Sequence, residues 1–233
     1  MEDSSTPRPG VDAPGAEPAA AAARHAARQR LLGAALRLFA QQGYARTSTR
    51  EIAEAAGVNV AAISYYFGDK AGLYRAAFFE PLCGRAEPLT FGDAPLAQAL
   101  AMLFADLIAP LRRGEASRLC MRLRFREMFE PTGLWEEELR RDIAPLHAAL
   151  VAVLQRHLGA AAADAEIHRL AIAIVGLGVH LHVGRDCVDL LAPELHLGER
   201  ALDDWAERLV DYALAMVAAE ARRRASAATI ASA

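Results

Sequence analysis

Apolar residues in this chain recur at a helical period almost throughout, and no segment shows the strict alternation of a half-buried strand. Leu32, Ala35, Leu36 and Phe39 fall at i, i+3, i+4 and i+7, which puts all four on one helical face, and Gly43 follows as a left-handed stop. Composition points the same way. Of 233 residues 53 are alanine, and aromatics make up only 6%; alanine loses no side-chain entropy in a helix, whereas sheets draw on aromatic and β-branched residues. An all-α protein is expected, long enough to bury its own core without staples.

Three cysteines, Cys83, Cys120 and Cys187, are odd in number, widely spaced and outside any CxxC pattern, so neither a disulfide framework nor a zinc knuckle is expected. The uncharged run from Leu170 to Val183 has 14 residues, too few to span a bilayer, and no basic start precedes an apolar stretch. These readings predict a reduced, cytoplasmic protein with no membrane partner.

The net charge of −3 hides a division along the chain. Residues 1–23 carry −3, residues 24–80 carry +4 and residues 81–233 carry −4, so a small basic module is joined to an acidic body. The first 23 residues hold four prolines, two glycines and five consecutive alanines, and are expected to form a disordered arm. The basic module then spans 24–80, the acidic body spans 81–225, and 226–233 is expected to be a disordered tail. In the body, helices are expected near 94–112, 117–130, 134–158 with a kink at Pro145, 164–191 and 199–224. The last two are apolar on more than one face: Leu170 to Val175 leaves no polar side, and Leu209, Tyr212 and Met216 extend a stripe that begins at Trp205. Such helices are candidates for a symmetric four-helix dimer interface.

Within the basic module, Ser48 with Glu51 forms a capping-box signature, and Ile52, Ala53 and Ala56 follow on one face before Gly57. Asn59 can cap a third helix that turns Ile63 and Phe67 inward, and Gly68-Asp69 breaks and caps again before Leu73, Ala77 and Phe78. Two short helices joined through a glycine turn have the form of a helix-turn-helix, whose second helix enters the major groove. The inward residues alone would suit any small helical core. The outer face carries the functional reading: Ala61, Ala62 and Ser64 permit close approach to base edges, and Tyr65 and Tyr66 can meet thymine methyls or phosphates. Lys70, the chain's one lysine, opens the next helix, where its ammonium and the helix amides can hold a phosphate.

The run Thr47-Ser-Thr-Arg-Glu-Ile-Ala-Glu-Ala-Ala-Gly57-Val-Asn-Val-Ala-Ala-Ile63-Ser-Tyr-Tyr-Phe67-Gly-Asp-Lys70-Ala-Gly-Leu-Tyr74, with Leu-Phe-Ala-Gln-Gln-Gly-Tyr44 before it, resembles the DNA-binding domain of the TetR family of bacterial transcriptional regulators. That resemblance implies an all-α homodimer: an amino-terminal three-helix helix-turn-helix domain plus a larger carboxy-terminal helical ligand-binding and dimerisation domain. It implies phosphate contacts from Tyr44, Thr47, Ser48, Thr49, Tyr66 and Lys70. Base contacts would come from Arg50, Ala61, Ala62, Ser64 and Tyr65, with Ser64 departing from the tyrosine common at its position. Arg126-Glu-Met-Phe-Glu-Pro131 and Ile143-Ala-Pro145 are similar to the CecR-like branch of the family.

For the body, the expected partner is a small, largely apolar effector. Met121, Phe125 and Met128 share a helical face, and Phe104, Trp135, His147 and His180 complete the candidate ligand-binding set. His180 and His182, two apart on a helix, diverge rather than chelate, so no metal and no cofactor is expected. No nucleophile elbow, P-loop, HExxH or dinucleotide fingerprint is present. A catalytic helical domain with an unrecognised site, and a helix-turn-helix used for protein contacts, are the alternatives to a repressor that binds a palindromic operator as a homodimer and is released by that effector.

Overall fold

The computed structural model describes residues 16–80 and 89–231, and among these it is helical without strands. The expectations for the first 15 residues, the last two and Cys83 lie outside the described residues. The amino-terminal part comprises α1 (Ala16–Gln42), α2 (Thr49–Ala56), α3 (Ala61–Phe67) and α4 (Lys70–Phe79). The body comprises α5 (Leu96–Arg112), α6 (Glu115–Phe129), α7 (Leu134–Glu138), α8 (Ala144–Leu158), α9 (Ala165–Val183), α10 (Arg185–Leu191) and α11 (Ala201–Ala231).

Several boundaries differ from the sequence reading for identifiable reasons. α1 begins at Ala16, inside the stretch expected to be disordered, because an alanine run sustains a helix by intrinsic preference even where Ala19–Ala23 are exposed. α11 likewise continues to Ala231, into the expected tail. Residues 134–158 form one unbroken helical run, as expected, and the irregularity next to Pro145 is a π-helical turn, Leu139–Ile143, in which the Ala144 amide reaches back to the Leu139 carbonyl. Gly184 ends α9, and α10 begins at Arg185, so the expected helix over 164–191 is divided in two. Cys120 is disulfide-bonded, against the sequence expectation, and Cys187 is exposed and free.

Two apolar cores organise the fold. The first gathers Leu31, Leu36 and Phe39 of α1, Ile52 of α2, Ile63 of α3 and Leu73 and Phe78 of α4, and it is completed by Cys120 and Leu123 of α6. The second gathers Leu100, Leu103 and Phe104 of α5, Leu150 and Leu154 of α8, Ile167 and Ile174 of α9, and Leu209, Ala213 and Val217 of α11. Each large side chain so buried contributes roughly 1.5–3 kcal/mol. Leu209 therefore belongs to the body's own core, which corrects its assignment to an outer seam. α9 is long and apolar enough to cross a membrane by length and composition, but its Ile167, Leu170, Ala171, Ile174 and Leu181 are buried against neighbouring helices. Its opposite face is not covered: Ile172 is 65% exposed, and Tyr212 on α11 is 52% exposed.

α6 connects the two cores and carries the main polar joint between them. Glu127, fully buried, accepts a hydrogen bond from the Tyr74 hydroxyl of α4 at 2.7 Å, from the Thr132 amide at 2.6 Å and hydroxyl at 2.9 Å, and from the Leu134 amide at 3.1 Å. Burial, with this carboxylate partner, pushes the Tyr74 phenol far above its ordinary range. Around the joint Arg75 of α4 forks onto Glu137 of α7, Arg124 pairs with buried Glu138 at 2.9 Å, and Arg126 donates to the Gln41 carbonyl at the end of α1 at 3.3 Å. Tyr74→Phe should remove one of four donors from a carboxylate without access to water and cost about 1–3 kcal/mol. Urea unfolding of both proteins measures the difference; equal midpoints would show that the bond contributes nothing net.

Candidate nucleic-acid interface

The helix pair is set by local chemistry. Ser48 accepts from the Glu51 amide at 3.1 Å while Glu51 accepts from the Ser48 amide at 2.8 Å, which fixes the start of α2. These bonds hold the Glu51 carboxyl below its usual range. α2 ends at Gly57, whose φ of 63° is left-handed, with its amide and that of Val58 returned to the last turn. The Asn59 side chain accepts from the Ala61 amide at 2.9 Å and so starts α3. Gly72 permits the close approach of α3 to α4, since a Cβ there would lie 2.0 Å from the Phe67 carbonyl oxygen. Asp69 caps α4 by accepting from the Gly72 amide at 2.7 Å.

This scaffold buries Ile63 and exposes Ala61, Ser64 and Tyr65, the last 73% exposed and edge-on to Tyr66 at 4.8 Å between ring centres. Ala62 and Tyr66 are half-buried, Ser48 and Arg50 are exposed, and Thr49 is half-buried. Tyr44 packs edge-on against Tyr74 at 4.9 Å, and the Lys70 ammonium stands 4.3 Å above the Tyr44 ring centre. Because Asp69 already takes an amide at the start of α4, the charge offered there is the Lys70 ammonium. Thr47 is a correction: it is 1% exposed and its hydroxyl donates to the Gly43 carbonyl at 2.8 Å, so it holds the α1–α2 turn together and offers no hydroxyl to solvent. Sequence reasoning missed Arg30, which ties α1 to the Ala56 carbonyl at 3.1 Å, and missed the Tyr74–Glu127 bond, whose partners are 53 residues apart with no spacing to betray them.

The candidate effector residues differ in burial. Phe104 is fully buried in the second core, Met121, Phe125 and Trp135 are half-buried, and Met128 is exposed on the far end of α6. His147 is engaged with His168 of α9. His180, expected inward, is exposed, whereas His182 is the inward histidine: its Nε2 lies 2.7 Å from the Leu107 carbonyl oxygen and its ring centre 6.1 Å from that of Phe125. Burial lowers the His182 pKa and outweighs that carbonyl. Surface concavities of about 400 and 580 Å³ lie elsewhere, one between α1, α3 and α4 and one on the last turns of α11. Among the described residues no group of three or more histidine, cysteine, aspartate or glutamate side chains is arranged for a metal ion.

An exposed reading helix on a capped helix-turn-helix, joined to a larger helical body, defines a DNA-binding transcriptional regulator. Residues 31–77 match the family described as "Bacterial regulatory proteins, tetR family", and residues 96–220 match "HTH-type transcriptional dual regulator CecR, C-terminal domain". The chain belongs to the TetR family, with a CecR-type carboxy-terminal domain, and is a regulator and not an enzyme. It is 29% identical over 199 residues to the HTH-type transcriptional dual regulator CecR of Shigella flexneri, covering 79% of this chain and 86% of that one. Over 46 residues it is 52% identical to the probable HTH-type transcriptional regulator YttP of Bacillus subtilis (strain 168), covering 20% and 22% of the two chains. Its fold is similar to that of HlyIIR, a hemolysin II transcriptional regulator, with a TM-score of 0.57 at 20% identity over 81% of this chain and 97% of that one. A TetR transcriptional regulator from Agrobacterium tumefaciens has a TM-score of 0.55 at 20% identity, covering 82% and 93%.

Two outcomes follow from the geometry. Thr47→Val should lower stability by roughly 1 kcal/mol through the lost bond to Gly43 and leave the salt dependence of DNA binding unchanged; a flattened salt dependence would make Thr47 a phosphate contact after all. Burial holds His182 and His147 below the ordinary imidazole range, so the unfolded chain binds more protons than the folded one near neutrality. Stability should therefore fall as pH drops below about 6.5, and His182→Gln should reduce that slope in urea titrations.

Proposed function

We propose that this protein is a cytoplasmic repressor that binds a palindromic operator as a homodimer and is released by a small, largely apolar effector. The observation that carries the reading is the exposed α3 face of Ala61, Ser64 and Tyr65, flanked by Arg50 and Lys70 on a module of net charge +4. In this reading Arg50, Ala61, Ala62, Ser64 and Tyr65 approach bases, and Tyr44, Ser48, Thr49, Tyr66 and Lys70 approach phosphates. Support for the dimer comes from the uncovered apolar faces of α9 and α11, where Ile172, Val183 and Tyr212 meet solvent in a single chain. Support for the effector comes from half-buried Phe125 beside His182, an aromatic ring with one polar group to orient a ligand, and from half-buried Met121 one turn earlier on the same helix. Such a ligand acts only by binding one conformation better than the other, and a coupling of about 1–3 kcal/mol changes DNA affinity roughly 5- to 150-fold.

Operator fragments selected from the organism's own genome by the purified protein test the reading. Lys70→Ala should weaken binding to all of them and reduce the slope of log affinity against log salt by about 1, whereas Tyr65→Ala should change which sequences are preferred. An unchanged slope for Lys70→Ala would remove its phosphate contact. Ile172→Glu should give folded monomers that bind the palindrome poorly, while Leu209→Glu should unfold the body, since it charges a core position; a dimeric Ile172→Glu in sedimentation would exclude α9 from the interface.

A further inference from the structure

The stretch that joins α9 to α11 turns apolar side chains outward and satisfies its polar ones internally. Leu190 and Leu191 of α10 are 82% and 81% exposed, and Leu195 and Leu197, in and just after the 3₁₀ turn Pro193–His196, are 44% and 69% exposed. Four exposed leucines thus fall within eight residues, while elsewhere among the described residues no stretch of that length exposes more than two large apolar side chains. The stretch is nevertheless held in shape. Asp189 accepts from His196 Nδ1 at 2.5 Å and pairs with Arg185 at 3.5 Å, and the His196 side chain is only 9% exposed. The Ala192 amide donates to the Val188 carbonyl at 2.8 Å and the Leu195 amide to the Ala192 carbonyl at 3.0 Å. A hairpin braced by its polar groups, with its leucines in water, is an apolar patch of the kind that marks an interaction surface.

We propose that this hairpin, residues 185–197, is an arm that packs onto the body of a second copy of the chain, so that the dimer is incomplete without its leucines. The inference rests on the homodimer reading and adds a second element to its interface. Area selects a second copy as the occupant. A stable interface buries about 800 Å² on each partner, yet among the described side chains α9 and α11 offer only Ile172, Val183 and Tyr212 as large exposed apolar groups. The arm raises that number from three to seven. Continuity selects the same occupant: α10 begins two residues after Val183, and Gly198, with a φ of 96°, turns the chain from Leu197 toward the start of α11. Both ends of the arm are therefore anchored to the helices whose outer faces are uncovered, and twofold symmetry makes each copy both donor and acceptor of an arm. Charge disfavours a membrane as the occupant, since residues 185–200 carry two arginines against four acids and anionic lipid attracts basic segments.

The test is sedimentation equilibrium of the full-length protein over a concentration series. Leu190→Glu and Leu191→Glu should each raise the dimer dissociation constant at least roughly tenfold, because each would bring a charge into an apolar contact. Both positions are exposed in the single chain, so circular dichroism should show the wild-type fold. Phe129→Glu, which charges an equally exposed apolar position on α6, should leave the constant unchanged. A photoreactive benzoylphenylalanine in place of Leu191 should cross-link to a second copy, identified by mass in a mixture of isotopically light and heavy chains. A dimeric wild type whose constant is unchanged in both leucine variants, with cross-links confined to one chain, would overturn the arm and leave the homodimer standing. A wild type that stays monomeric throughout would overturn the homodimer and the arm with it. Co-sedimentation with phosphatidylglycerol vesicles that is lost in Leu191→Glu would assign the leucines to a membrane and also overturn the proposal.

Discussion

A carboxylate without water must find its hydrogen bonds inside the protein, and Glu127 finds all of its donors at the meeting point of the two parts of this molecule. Tyr74 reaches it from α4, and the Thr132 and Leu134 amides reach it from the turn that begins α7. Breaking that arrangement would strand a buried charge, an outcome far costlier than the gain from any one of the bonds. The module that carries α3 is consequently not a separate bead on a tether. Its apolar core is closed by Cys120 and Leu123 of α6, and its last helix is held by Arg75 to Glu137. Any movement of α6 or α7 acts on α4, and through α4 on the packing of α3.

The π-helical turn at Leu139–Ile143 lies next to this joint in the chain. It follows Glu138, whose buried carboxyl is raised above the usual range by burial despite Arg124, and it leads into α8 and the body's core. Arg75 and Arg141 both lie against the Phe79 ring, at 5.0 and 5.3 Å from its centre, so cations from α4 and from the π turn share one aromatic surface. The end of α4 is thereby in contact with the segment that connects the joint to the second core.

Much of this was legible in the sequence, because local chemistry determined it. Ser48 and Glu51 gave the start of α2, Gly57 its end, and the i, i+3, i+4, i+7 spacing from Leu32 to Phe39 gave the buried face of α1. The outward residues of α3 followed by elimination once Ile63 was turned inward. What periodicity could not reveal were contacts between distant segments. Thr47 reads as a polar residue before a helix, yet its hydroxyl is spent on Gly43. Leu209 belongs to a stripe that looks two-sided, yet α5 and its neighbours cover it. His180 and His182 are indistinguishable by spacing, and only the Leu107 carbonyl makes His182 the inward one. The helical arm from Ala16 carries almost no large apolar residues, and only alanine's own helix preference marks it in the sequence.

The central claim is that the DNA-reading module and the body are one mechanical unit joined at Glu127. Native-state hydrogen exchange of the Thr132 and Leu134 amides, measured with and without a bound operator fragment, addresses it directly, since both amides donate to Glu127 and neither belongs to the reading helices. Occupancy of α3 by DNA should slow exchange at both amides through the Tyr74–Glu127 bond, and Tyr74→Phe should abolish that response. Protection confined to α2, α3 and α4, with Thr132 and Leu134 unchanged, would contradict the account.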